Sequence, residues 1–475
     1  MSFASYSFVF AFLPIVLLTY YSLSRIRNPY PQRIFLAAAS LFFYGYFNWK
    51  YLFLLLGSIT ANYLLARGSL LSKAQRQRRL FFCLSLLANL GLLGYFKYCD
   101  FFLETLGHVL HTQFVLRGIL LPLGISFFTF QQISFQLRIF RAQESSVRFP
   151  DYLLFVSFFP QLVAGPIVHY EELMPQFLRE DTRRPNAQNL AAGLYTFLLG
   201  LSKKLLIADA LSTWVDNGFA ASSLQCVPAW IVMTAYAFQI YFDFSGYSDM
   251  ALGLGKMFNM DLPVNFYMPY RAESVRDFWK RWHITLGRTL AELVYFPLGG
   301  NRKGKARKCL NLFLTFLASG IWHGASWTFV VWGAAHGAAR VFEEIAGSVL
   351  QKIPLKLRKA GTFLLTAGAF TLFRAESFAD AAKVYRGMVH FGSPGLSQVP
   401  ALIRDGVIGL PAAVCLPLAL AVLAACFALI LFARPVPDRL RQFSPGKGRA
   451  VLAAALLVGC TLCMSRAAVF IYFNF

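Results

Sequence analysis

An all-α, polytopic membrane helical bundle is the architecture that this sequence implies. Of its 475 residues 57% are hydrophobic and only 14% charged, whereas a soluble domain carries roughly 25% charged residues. The apolar residues gather in runs close to the length an α-helix needs to cross a hydrocarbon layer, about 20 residues. The formal net charge of +23 is spread between those runs, where cytoplasmic loops carry their Lys/Arg excess. It is not collected on one polar domain, as a nucleic-acid surface would be, so no nucleic-acid partner is expected.

Apolar runs at 4–23, 34–48, 51–66, 80–97, 115–135, 151–168, 188–212, 226–250, 309–333, 361–373, 407–433 and 450–472 predict about 11 transmembrane helices, the shorter runs being tilted, re-entrant or broken. The first run lacks a basic stretch before it and is expected to be a membrane helix, not a cleaved signal. Arg25, Arg27 and Arg33 follow the first run, and Lys73, Arg76, Arg78 and Arg79 follow the third. Both loops are therefore expected on the cytoplasmic side, with the N-terminus outside. Trp49 and Lys50 suit the outer turn between them. The basic loop 434–449 is also expected in the cytoplasm, so the last helix runs outward from Ala450. The 49 Phe and 21 Tyr suit lipid-facing and interfacial positions. Of eight cysteines, Cys83, Cys415, Cys426, Cys460 and Cys463 lie inside apolar runs. The Cys460-x-x-Cys463 spacing lacks the strand–helix context of a redox motif, so these read as small apolar fillers.

The most polar block, 252–308, carries Arg271, Arg276, Lys280, Arg281, Arg288, Arg302, Lys303, Lys305, Arg307 and Lys308, and is interrupted by Pro263, Pro269, Pro297, Gly299 and Gly300. Such a segment does not cross lipid as a regular helix. It is expected to form short re-entrant or interfacial helices, because irregular backbone at membrane depth must be buried in protein or line a cavity.

Three of the seven histidines, His283, His323 and His336, fall between Asp277 and His336. His323 sits in the apolar stretch ASGIWHGASWTFVVW. An ionisable side chain in such a setting is costly and marks a functional site by default. Burial favours the neutral, proton-accepting form of an imidazole, which suits deprotonation of a hydroxyl that attacks an acyl group. A histidine satisfied by helix–helix hydrogen bonds is the competing reading. No Gly-x-Ser-x-Gly elbow accompanies it. His283 closes the run Trp279-Lys280-Arg281-Trp282-His283. Together with Arg276, this run reads either as a polar mouth for an anionic donor or as an interfacial anchor. His336 lies on the same apolar segment as His323 and is assigned a structural role. Asp243, Ser245 and Asp249 must face a cavity or a partner and read as structural or pore-lining; too few oxygen ligands surround them for a metal. Gly253 and Gly255 have no preceding strand, so a dinucleotide site is excluded. Tyr472, in the terminal FIYFNF, is either an aromatic-belt residue or a phenol placed to carry an acyl group.

These stretches together resemble the alginate O-acetyltransferase branch of the membrane-bound O-acyltransferase (MBOAT) family. The resemblance rests on LPLGISFFTFQQISF (121–135), FFPQLVAGPIVHY (158–170), GLSKKLLIAD (200–209), YAFQIYFDFSGYSDMALGLGKMFN (236–259), DFWKRWHITL (277–286), FPLGGNRKGK (296–305), GIWHGASWTFVVWGAAHG (320–337) and FIYFNF (470–475). It implies one membrane domain over 1–475, with a core signature at 120–340 and a C-terminal helix and aromatic tail at 450–475. It implies a bundle around a central pore in the bacterial inner membrane. His323 would be the catalytic histidine, His283 the second signature position and Tyr472 an acyl relay. The resemblance further implies acetyl-CoA as cytoplasmic donor, approached by Arg276, Trp279, Lys280 and Arg281. A periplasmic SGNH or esterase-like transferase would be the partner, beside the machinery that makes and exports a polysaccharide such as alginate or cellulose. Ala291 and Glu292 stand where relatives commonly carry an Arg-Asp pair. Peptidoglycan O-acetylation, D-alanyl transfer from a carrier protein and a non-enzymatic transport pore are the alternatives. The basic block suits a CoA phosphate or an acidic carrier equally, whereas a tyrosine motif built into the chain favours O-acetylation over D-alanylation.

Overall fold

The computed structural model describes residues 1–141, 147–404 and 410–473. The start of the 407–433 run and the last two residues of the aromatic tail lie outside the described residues. Among the described residues all regular elements are helical. Five helices among the described residues are long and apolar enough to cross a membrane: Trp49–Leu71, Gln75–Leu110, Ala187–Ala220, Ala412–Phe432 and Lys447–Arg466. A sixth, Ser7–Leu23, is apolar but shorter. Only 11% of the apolar window of Lys447–Arg466 is buried within the protein, against 56% for Ala187–Ala220. Exposed apolar surface on that scale needs lipid rather than water around it. This is a multi-pass membrane protein.

Several expected spans are shaped differently from the runs that announced them. The 309–333 run is two helices, Gly304–His323 and Trp327–Leu350, broken at Gly324–Ser326. Ser326 explains the restart, since its hydroxyl accepts from the Thr328 N–H at 3.3 Å and caps the second helix. The 151–168 run breaks into Phe149–Ser157 and Phe159–Leu162. The 115–135 run becomes helical only from Ile125. The 450–472 run is helical as Lys447–Cys463, followed by a short 3₁₀ turn, and from Ala467 to Phe470 the chain leaves the helix.

The chain forms two compact units. The first comprises 1–199, 247–264 and 443–457. Its interior holds a cluster of Phe3, Phe8, Phe12, Phe43 and Phe159, with ring centroids 4.9–6.4 Å apart. Beside these, neutral amides bridge helices: Asn89 Nδ2 donates to Asn62 Oδ1 at 2.7 Å, and Gln136 Nε2 donates to the Asn62 carbonyl at 2.6 Å.

The second unit comprises 200–246, 265–442 and 458–475. Every residue singled out for catalysis or donor binding belongs to it. Residues 226–246 of the Cys226–Met257 helix form its buried spine, with Tyr236, Phe238, Tyr241, Asp243 and Phe244 at 3% exposure or less. Of the 252–308 block expected to be short and irregular, residues 252–257 instead end the long Cys226–Met257 helix and 304–308 begin the Gly304–His323 helix, while 265–303 folds into short pieces, with helices at Val275–Trp279 and Ile284–Leu290 and a π-turn at Ala291–Tyr295 that contains Ala291 and Glu292.

Candidate active site

His323 is the last residue of the Gly304–His323 helix and is only 3% exposed. Its place is set by how closely the next helix packs. A Cβ on Gly320 would come within 2.4 Å of the Phe329 carbonyl oxygen and 2.9 Å of the Gly333 Cα, so only glycine lets the two backbones meet. The sharp break then turns the imidazole inward among Trp322, Trp332 and Phe373, whose rings lie 5.0, 5.1 and 5.2 Å from it.

His283 reaches the same place by a strained route. Its φ of +45° is in the left-handed region, which costs a non-glycine residue about 1 kcal/mol or more and persists only where surrounding structure imposes it. Asn265 imposes it. The Asn265 side-chain oxygen accepts from the Thr285 N–H at 3.2 Å and the Thr285 hydroxyl at 3.0 Å, and lies 3.2 Å from His283 Nδ1. The Asn265 carbonyl accepts from the Ile284 N–H at 3.0 Å. The imidazole is 1% exposed and packs edge-on against Phe244 at 4.8 Å.

Tyr472 completes the cluster from the other end of the sequence. Its ring is 5.8 Å from that of His323 and 6.3 Å from that of His283, and the two imidazoles are 6.3 Å apart. Phe244 lies against it at 4.1 Å, and Phe470 stacks on it at 5.8 Å. The phenol is 9% exposed, so it is an interior residue and not a lipid-interface one. Two imidazoles that can hold a proton and a phenol that can carry an acyl group thus share one apolar enclosure, the composition that general-base and nucleophilic catalysis require.

The four residues expected to meet the donor do not converge. Arg276 lines a cavity of about 710 Å³ together with Arg340, Arg358, Glu273, Glu343 and Glu344, in which Arg340 pairs with Glu343 and Arg358 with Glu273. Trp279 instead donates its indole N–H to His336 Nδ1 at 3.3 Å. Lys280 is exposed, and Arg281 is held by Asp277 one turn earlier at 2.8 Å. His336 is fully buried, with its ring against those of Trp279 and Trp332 at 5.1 and 4.9 Å, in keeping with a structural role. One helical turn separates His336 from Trp332 and from Arg340, so one face of the Trp327–Leu350 helix runs from the arginine cavity to the ring beside His323.

Asn265, Phe244 and Asp243 hold or surround the site; of these only Asp243 had a reading from sequence, as a structural or pore-lining group. The signal for Asp243 was its charge within an apolar helix. Asn265 gave none, because an asparagine in a proline-flanked loop is ordinary turn chemistry. Among the described residues no three His, Cys, Asp or Glu side chains gather as metal ligands would.

Residues 123–373 match the membrane-bound O-acyltransferase family, a segment that contains both imidazoles of the cluster. The chain is 42% identical to the peptidoglycan O-acetyltransferase of Helicobacter pylori over 423 residues, covering 82% of this chain and 80% of that one. It is 38% identical to the probable alginate O-acetylase of Pseudomonas aeruginosa over 411 residues, covering 84% and 77%. Similarity to the teichoic acid D-alanyltransferase of Bacillus subtilis is lower, 27% over 226 residues, covering 45% and 56%. The match over more than half of the chain, and the identity along most of two O-acetyltransferases, establish this protein as an acyltransferase of the membrane-bound O-acyltransferase family.

Proposed function

We propose that this enzyme takes an acetyl group from a cytoplasmic thioester, acetyl-CoA, and passes it through the centre of a bundle of about 11 transmembrane helices for O-acetylation of a glycan outside the cytoplasmic membrane. The observation that carries this reading is the convergence of His323, His283 and Tyr472, which come from three distant parts of the sequence. His323 accepts the phenolic proton as Tyr472 attacks the thioester carbonyl. The carbon–sulfur bond breaks, the thiol leaves with a proton, and an acetyl-tyrosine ester remains. A glycan hydroxyl, presented by a periplasmic esterase-like partner, then takes the acetyl group and returns the proton to the tyrosine oxygen. Arg276 lies beside a cavity lined by three arginines and three glutamates, and its guanidinium is the group offered there to the phosphates of a nucleotide-bearing donor.

The relatives support both an exported polysaccharide such as alginate and peptidoglycan as the glycan. D-alanyl transfer is less supported, since the similarity there spans under half of this chain. The test is purified protein in lipid nanodiscs with isotopically labelled acetyl-CoA, followed by mass spectrometry of the C-terminal peptide. Wild type gains one acetyl group on Tyr472, and His323→Ala gains none while accumulating normally. Label on the His323→Ala peptide at the wild-type rate sinks the general-base role. Flux of a solute without thioester consumption would instead indicate a transport pore.

A further inference from the structure

Behind the site, one buried cation bridges two buried carboxylates. Lys204 Nζ lies 2.7 Å from Asp209 Oδ1 and 2.7 Å from Asp243 Oδ1, with side-chain exposures of 6%, 10% and 1%. Lys204 and Asp209 are five residues apart, which would place them about 140° apart around an α-helix. Here residues Lys203–Ala208 form a π-turn, closed by the Asp209 N–H donating to the Lys204 carbonyl, and this wider turn lets both side chains meet. Carboxylate oxygens buried beside a single shared cation require donors on their remaining lone pairs. The C-terminal tail supplies them. Asp209 Oδ2 accepts from the Ala468 N–H at 3.2 Å, and Asp243 Oδ2 accepts from the Ile471 N–H at 2.9 Å. Each carboxylate therefore gives one oxygen to the lysine and the other to the tail's main chain. These bonds also explain why the helix does not continue to residue 472: the same N–H groups would otherwise serve i−4 carbonyls.

We propose that Lys204, Asp209 and Asp243 form a clamp that reads the backbone of the tail and sets the position of Tyr472 against His323. Asp243 is one residue from Phe244, whose ring lies 4.1 Å from Tyr472, so the helix that clamps the tail also provides the wall against which its tyrosine rests. The clamp holds the tail through its main-chain N–H groups, so its three members are positioning residues. Their role in catalysis rests on the reading of Tyr472 as the acyl relay, while the docking of the tail does not depend on it.

Amide hydrogen exchange of the tail peptide tests the clamp, measured on the full-length protein in nanodiscs alongside acetyl transfer. Ile471→Pro deletes one tail donor and leaves the triad intact. Proline suits this position because Ile471 begins the terminal 3₁₀ turn. Asp243→Asn weakens the lysine bridge from the other side, Lys204→Arg preserves it, and Ile471→Val is the control that keeps the N–H. Ile471→Pro and Asp243→Asn are expected to speed exchange in the tail at least tenfold, with exchange in the Gly304–His323 helix unchanged. In those two variants acetyl transfer should fall at least tenfold through kcat, with the KM for the thioester unchanged, whereas Lys204→Arg should retain most of the wild-type rate. Unchanged tail exchange in both variants overturns the clamp, and faster exchange with full acetyl transfer overturns its positioning role. Full activity of Tyr472→Phe with a protected tail would remove the relay reading and leave the docking in place.

Discussion

An amide cluster in the first unit and an ionic cluster in the second are built from opposite chemistry, although the first unit also buries one ion pair, Arg33–Asp151 at 3.2 Å. In the first unit Asn62, Asn89, Gln136, Gln132, Ser58 and Tyr152 form a neutral network. Asn62 and Asn89 exchange hydrogen bonds at 3.2 and 2.7 Å, Gln132 donates to the Ser58 hydroxyl at 2.9 Å, and the Tyr152 hydroxyl donates to Gln132 at 3.1 Å. Donors and acceptors within that network largely satisfy one another, so it ties helix to helix. In the second unit the cluster is ionic, and its spare carboxylate oxygens are met by the main chain of the tail. A neutral network is a fastening between elements that are already in place. A charged one left a proton donor short creates a demand that a distant segment must answer. Interhelical amide bonds in membranes are worth about 0.6 kcal/mol each on average, whereas removing one member of a buried ionic set costs about 3–5 kcal/mol.

The largest effect that would sharpen this contrast is expected at the segment held by the ionic cluster. Tyr472→Phe should lower polymer O-acetylation in cells at least 100-fold, near the lower end of what loss of a catalytic group costs, with unchanged abundance in the membrane. Acetylation at the wild-type level in that variant would leave the tail as a structural segment and erase the functional half of the comparison. Next comes Arg276→Ala, which is expected to raise the KM for the thioester several-fold with kcat little changed, read from initial rates in nanodiscs. A fall in kcat alone would place the arginine cavity outside the donor's path.

His283 tests a third kind of device, a strained backbone. His283→Val should destabilise the protein by about 1–3 kcal/mol, because a β-branched residue tolerates positive φ poorly. His283→Gly should relieve the strain yet remain defective in transfer, since it lacks the imidazole. Equal thermal stability of the two variants would show that the left-handed turn is not a constraint. The smallest effect is expected in the neutral network. Asn89→Ala should cost about 1 kcal/mol of stability and leave acetyl transfer per folded molecule unchanged. A transfer defect there would mean the neutral cluster is also tied to catalysis, and the distinction between the two would fail.

Much of the fold and part of the site were legible from residues alone. His323 was conspicuous because an imidazole in ASGIWHGASWTFVVW is costly unless a function or a helix–helix hydrogen bond accounts for it. The proline-broken 252–308 block announced short irregular helices, and residues 265–303 fold that way. His283 was visible by its company, but the strain that marks it was not, because φ at a histidine depends on Asn265 across a loop. Lys204 and Asp209 stood in plain sight, yet five-residue spacing on a helix gives no reason to pair them. Only the π-turn does so, and hydrophobic periodicity carries no signature of such a turn. Arg276, Trp279, Lys280 and Arg281 looked like one group from proximity in sequence. The structure disperses them, since on a short helix adjacent residues face different directions.

By itself the sequence determined the class of the molecule, because lipid admits only segments that satisfy their own backbone, and that requirement is written in the length and hydropathy of each run. It also determined which ionisable groups would be too costly to bury without purpose. The tertiary structure alone decided where the helices break, since Gly320 and Gly333 allow an approach that ends one helix at His323. It alone brought Tyr472 to that histidine, because the tail is met by carboxylate oxygens that two separate helices and one lysine bring together, an arrangement no single segment contains.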